Sequence, residues 1–105
     1  MAESNGKAQL RYTVGLTGLA RTQLLAISDA AVWSVTENDV DEAYVAIVAR
    51  LKRNPFEFGE PLYHLKKMKM TIYCAACSPL YVEYGLHDDQ PIVVIRRFVS
   101  LIADS

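Results

Sequence analysis

Between residues 67 and 74 the side chains alternate without a break, with Lys67, Lys69, Thr71 and Tyr73 on one side and Met68, Met70, Ile72 and Cys74 on the other. Successive strand residues point to opposite faces, so this is the pattern of a strand that is buried on one face and wet on the other. The alternation predicts Met68, Met70 and Ile72 as core and Lys67, Lys69 and Tyr73 as open face. A sheet wet on one side needs a second layer on the other to cover its apolar face. The same period returns at Leu10, Tyr12, Val14 and Leu16 against Gln9, Arg11, Thr13 and Gly15. It returns again at Leu80, Val82, Tyr84 and Leu86 against Tyr81, Glu83, Gly85 and His87. The last run, Ile92 to Val99, opens with continuous β-branched residues, as a central or doubly covered strand does.

The covering layer is helical. Thr17-Gly18 offers an N-cap, and Leu19, Ala20, Leu24, Ile27, Ala31 and Val35 recur at three- and four-residue steps, leaving Arg21, Gln23, Ser28 and Asp29 more exposed. Thr36 or Asn38 caps a second helix with Asp39, Asp41 and Glu42 in its first turn and Arg50, Lys52 and Arg53 in its last, charges that suit the dipole at both ends. Its apolar stripe is Ala43, Tyr44, Ile47, Val48 and Leu51, and Asn54-Pro55 stops it. The link between the helices is too short for anything but an antiparallel hairpin. Residues 55 to 61, with two prolines and a glycine, read as an irregular connector. The expected fold is α+β in the order β-α-α-β-β-β, a helical hairpin packed on one face of an antiparallel twisted sheet. It forms one domain over residues 9–101, with a disordered tail at 1–8 and a short tail at 102–105.

A chain of 105 residues that is 51% hydrophobic and 22% charged fills one core. Its net charge of -1 excludes a wholesale electrostatic grip on nucleic acid and leaves room for a local patch. No apolar run reaches the length of a membrane span and the first residues lack a signal-like apolar core, so the expectation is a cytoplasmic protein with no membrane partner. Cys74-Ala75-Ala76-Cys77 is open to three readings: a redox pair, half a zinc site, or incidental thiols. Incidental thiols are preferred, because redox motifs open helices and a zinc site lacks further ligands beyond His64 and His87. No metal and no cofactor is expected.

These elements, together with Thr17 and Ala20 at the strand-to-helix junction, resemble the RelE/ParE superfamily of type II toxin-antitoxin toxins over roughly residues 9 to 100. The other matching stretches are Leu51-Lys52-Arg53-Asn54-Pro55, Gly59-Glu60-Pro61-Leu62, Leu80-Tyr81-Val82-Glu83-Tyr84 and Pro91-Ile92-Val93-Val94-Ile95. The resemblance implies a toxin neutralised by a cognate antitoxin, acting either by ribosome-dependent cleavage of messenger RNA without a metal or, in the ParE branch, on DNA gyrase. RNA cleavage by a 2′-hydroxyl needs a proton acceptor and cations around the phosphorane. The resemblance assigns these roles to Lys67, Lys69 and Arg97, with Arg11, Tyr73, Tyr81, His87 and Arg96 as binding residues. Two places depart from the family. Tyr81 stands where members often carry an arginine, and residues 98–105 are apolar and then acidic where many toxins carry basic or histidine-containing segments. The alternative is therefore a catalytically inactive protein of this fold, a binding module or a homodimer formed through its apolar helix or last strand.

Several residues have a plain structural reading beside the functional one. Lysines alternating on the wet side of a strand also guard an edge. His87 beside Asp88 and Asp89 is a general base or a solvated turn residue, and His64 has no evident partner. Strict alternation sends Arg96 and Arg97 to opposite faces, with Glu83 a carboxylate partner for one of them. Trp33 is core or a contact for a partner chain.

Overall fold

The computed structural model describes residues 11–31 and 37–101. Along the chain they form β1 (Thr13–Leu16), α1 (Gly18–Ala31), α2 (Glu37–Arg53), the single turn α3 (Pro55–Phe58), β2 (Glu60–Leu65), a 3₁₀ turn (Lys66–Met68), β3 (Met70–Cys77), β4 (Leu80–His87) and β5 (Ile92–Ser100). Both predicted tails, Gln9 and Leu10 at the start of the first strand, and Val32, Trp33, Val35 and Thr36 lie outside the described residues.

The α+β architecture is as expected, with helices on one face of a sheet ordered β1-β5-β4-β3-β2. The sheet is mixed: β1 runs parallel to β5, and the other neighbours are antiparallel. Placing β5 between β1 and β4 explains its apolar opening. The opening half of the last strand, which pairs with β1, therefore has no free edge. Farther along, the Thr17 hydroxyl donates to the Arg96 carbonyl at 3.4 Å and the Phe98 N–H donates to Gln23 Oε1 at 2.9 Å. Gln23, expected at the surface, thus does the work of a neighbouring strand, which no helical periodicity could reveal.

Thr17 caps α1 as predicted, accepting the Ala20 N–H on its hydroxyl at 3.0 Å. Among the described side chains of this helix only Ala20 is fully buried; Leu24 and Ile27 are partly so, and Leu19, predicted inward, is 61% exposed. Helix α2 is seated more deeply, with Val40, Ala43, Ile47 and Leu51 all buried at three- and four-residue steps. Burying an Ile or Leu side chain stabilises the fold by about 1.5–3 kcal/mol, so this stripe anchors the layer. The facing residues are Leu80, Val82, Tyr84 and Leu86 of β4 and Val93, Ile95 and Phe98 of β5.

The connector at residues 55 to 61 proves to be structured. Pro55 opens α3, where its missing N–H costs nothing, and Glu60 begins an edge strand in which Pro61 is tolerated. Gly59 is required between them, because a methyl group there would lie 2.5 Å from the Cys74 carbonyl and 2.7 Å from the Tyr84 hydroxyl. That hydroxyl donates to the Pro55 carbonyl at 2.6 Å, tying α3 to the centre of the sheet.

Candidate functional site

The side of the sheet away from the helices is the candidate site, and strand register decides what it displays. Tyr84 and Leu86 face the helices, so Gly85 between them faces away, and with it its partners Ile72 on β3 and Val94 on β5. A methyl group on Gly85 would run into Met70 and Ile72, which confirms that both lie over it. Met70 and Ile72 are buried, yet they form no part of the helix-side core. The pairing of Tyr73 with Tyr84 sends the opposite set, Tyr73, Ala75 and Cys77, toward the helices. The expected faces of β3 are thus exchanged. A one-residue change of register moves every side chain across the sheet, and partner strands, not local alternation, fix that register.

Tyr73, predicted on the open face, is consequently a core-side residue stacked on Tyr84 at 5.4 Å between ring centroids. Lys67 and Lys69 do not sit on a strand. Lys67 belongs to the 3₁₀ turn, and Lys69 follows it in the left-handed region at φ 53°, where the β2–β3 hairpin turns. Met68, predicted core, is exposed there. Arg11 is exposed just ahead of β1.

The two arginines share one face. Glu83 pairs with Arg97 and Tyr84 with Ile95, leaving Arg96 as the extra residue of a β-bulge. Ile95 and Phe98, on either side, are both buried against the helices, so neither arginine points inward. Arg97 Nη1 lies 3.7 Å from Glu83 Oε2, the partnership expected for one of them. Across the open face Glu60, Cys74, Glu83 and Arg97 stand in one transverse row over β2, β3, β4 and β5. Tyr81 is diagonal to Cys74, and its phenol is raised above the ordinary tyrosine range. The main cause is a hydrogen bond with Cys74, helped by desolvation and the Glu83 carboxylate and opposed by Arg97. Tyr81 at neutral pH is therefore a neutral donor.

His87 is on the open face as predicted, but with a fixed role. Its Nδ1 accepts the N–H groups of Asp89 at 3.0 Å and Gln90 at 3.1 Å, so the ring proton sits on Nε2. In this arrangement the imidazole presents an N–H to the face and no free lone pair. His64 gains the partner it lacked in the sequence: Nε2 donates to Asp88 Oδ2 at 2.8 Å, and the Thr71 hydroxyl donates to Oδ1 of the same carboxylate at 3.4 Å. This clasp joins the β2–β3 hairpin to the β4–β5 turn. Nothing in the sequence pairs His64 with Asp88, 24 residues away.

Cys74 and Cys77 are both free thiols. Three residues apart on one strand, their Cα atoms are separated by about 10 Å, beyond disulfide reach, and they face opposite sides of the sheet. The paired redox or zinc reading fails on this geometry, and no group of three or more metal-ligating side chains occurs among the described residues.

Comparison of the whole fold with solved structures finds close likenesses. A chain of the toxin-antitoxin complex RelBE2 from Mycobacterium tuberculosis superposes with a TM-score of 0.64 at 22% identity, over 87% of this chain and 92% of that one. A chain of the archaeal RelE–RelB complex from Pyrococcus horikoshii gives 0.63 at 12% identity, over 90% and 99%. A chain of the chromosomal ParDE system from P. aeruginosa gives 0.59 at 14% identity, over 87% and 97%. The chain has the RelE/ParE toxin fold. No family model matches its sequence, and no curated protein matches it either. The open face of this chain carries Glu60, Tyr81, Glu83, His87, Arg96 and Arg97 around the buried Met70 and Ile72. Of the predicted site residues on that face, Arg96, Arg97, Tyr81 and His87 remain, Tyr73 leaves it, and Lys67 and Lys69 move to the hairpin tip.

Proposed function

We propose that the chain is the toxin-like member of a type II toxin-antitoxin pair in the cytoplasm, neutralised by a cognate antitoxin, and that it acts by binding its target rather than by cutting RNA. The first part is supported by the fold it shares, over most of its length, with chains of RelBE, RelE–RelB and ParDE complexes. The second rests on the dispersal of the candidate catalytic groups. Lys69 flanks the row in which Met70 pairs with His87, whereas Arg97 sits in the Glu83 row. Four residues of β4 separate those rows, about 13 Å along the strand. A phosphorane needs its cations and its proton acceptor at one point. The carboxylate beside Arg97 is that of Glu83, engaged by the guanidinium itself, while the His87 Nδ1 lone pair is occupied by two backbone N–H groups and the Tyr81 phenol keeps its proton at neutral pH.

The competing reading, ribosome-dependent mRNA cleavage through Lys67, Lys69 and Arg97, makes the opposite forecast. Induced expression in a bacterium, with growth and mRNA integrity followed together, separates the two. Binding predicts growth arrest with intact mRNA, unchanged when Lys67, Lys69 and Arg97 are replaced by Ala. Cleaved mRNA, restored by those replacements, would overturn it in favour of the nuclease, and unimpaired growth would overturn the toxin reading itself. A supercoiling assay on gyrase in the same cells identifies a ParE-like target.

A further inference from the structure

On the opposite side of the molecule, below the end of α2, lies a row of aromatic rings that the open face does not explain. Phe56 meets Tyr12 edge-on at 6.2 Å and Tyr73 edge-on at 6.5 Å, and Tyr73 stacks on the buried Tyr84. The row is thus anchored in the core at one end. Phe56 itself is 56% exposed. In the single turn α3, Phe58 points inward to stack on Tyr84, so Phe56, two residues earlier, is carried to the outside.

Cations stand beside it. The Tyr12 N–H donates to the Lys52 carbonyl at 3.0 Å, which brings the last turn of α2 against the ring row. Arg50 lies over Phe58 at 5.1 Å from the ring centroid, while Lys52 and Arg53 are exposed and enter no ion pair among the described residues. Glu57 is the carboxylate on the same turn. Nearby, Asp88 is occupied by His64 and Thr71.

We propose that this row is a binding site for single-stranded nucleic acid, with a base stacked on Phe56 and neighbouring phosphates held by Lys52 and Arg53. An exposed ring flanked by half-buried ones, with cations that enter no ion pair among the described residues, is what such a strand requires, since every base has a π face and every nucleotide a charge. The Tyr12 and Tyr73 phenols bound the ring on either side. An acidic peptide would answer the cations alone and leave the flat ring unused. The site is on the helix side and does not depend on the toxin reading, because binding is measured on the purified protein and toxicity in the cell.

The test is fluorescence anisotropy with a labelled oligouridine of about a dozen nucleotides, at several salt concentrations, with a 4-thiouridine version for cross-linking. Phe56→Leu should weaken binding about five- to hundredfold, the worth of one stacked base. Lys52→Gln and Arg53→Gln should each lower the salt slope by about one. Arg97→Ala and Lys67→Ala should leave affinity unchanged, and the cross-link should fall within residues 50–58 or at Tyr73. Thermal melting confirms that Phe56→Leu is folded; if it is not, the two exposed cation variants decide. Absence of saturable binding, binding lost only in the Arg97 or Lys67 variants, a cross-link on the open face, or tighter binding of a Glu-rich peptide would each overturn the proposal.

Discussion

The two faces of the sheet are built on different terms. On the helix side, α2 buries a stripe of aliphatic residues against β4 and β5, and the aromatic stack of Phe58, Tyr84 and Tyr73 seals one end. On the other side no second layer stands among the described residues, and Met70 and Ile72 pack over Gly85. Polar groups on that side are arranged in pairs and rows, such as Glu83 with Arg97, instead of being excluded. The helix side determines whether the chain folds. The open side carries the charged pair and the polar row as well as a buried apolar pair.

If that contrast is correct, the largest effect belongs to the helix side. Ile47→Ala removes a fully buried side chain from α2 and should cost about 2–5 kcal/mol in denaturant unfolding, whereas an equal loss at exposed Leu25 should cost almost nothing. Gly59→Ala forces a methyl group against the Cys74 carbonyl, which cannot yield as a side chain would, and should cost about 3 kcal/mol. Gly85→Ala tests the open side directly. There the obstacles are the side chains of Met70 and Ile72, and Met70 can re-adjust, so about 1–2 kcal/mol is expected. A loss as great as that at Gly59 would show the open-side cluster to be a second core.

Tyr84 links stability to alkaline pH. Burial pushes its phenol well above the ordinary value, so below pH of about 10 both folded and unfolded chains keep the proton, and above it only the unfolded chain gives it up. Stability should therefore fall as pH rises past about 10. Tyr84→Phe should remove that phenol's share of the fall while costing about 1 kcal/mol at neutral pH for the lost bond to Pro55. The smallest effect belongs to Arg97→Ala. Its contact with Glu83 is long and half exposed, and under about 0.5 kcal/mol is expected.

Much of this was legible in local sequence. The Thr17 cap, the charge-matched ends of α2, its buried stripe and the inward face of β4 all follow from short-range periodicity and capping, because helices satisfy their backbone within one segment and declare their buried side every third or fourth residue. Those signals, with the apolar opening of β5, determined an α+β domain with helices on one face.

What only the tertiary structure decided were matters of pairing between distant segments. The edge strand β2 was hidden by Gly59 and Pro61, which local rules read as breakers and an edge accepts. The face of β3 was set by β4, the shared side of Arg96 and Arg97 by a bulge, and the place of Lys67 and Lys69 by a hairpin turn. The clasp from His64 to Asp88 and the bond from Gln23 to Phe98 also join segments far apart in the chain. In a strand, one residue of offset exchanges the two faces, and the groups that fix the offset lie on other strands. The sequence thus specified the α+β scaffold on its own, while the makeup of the open face awaited the sheet.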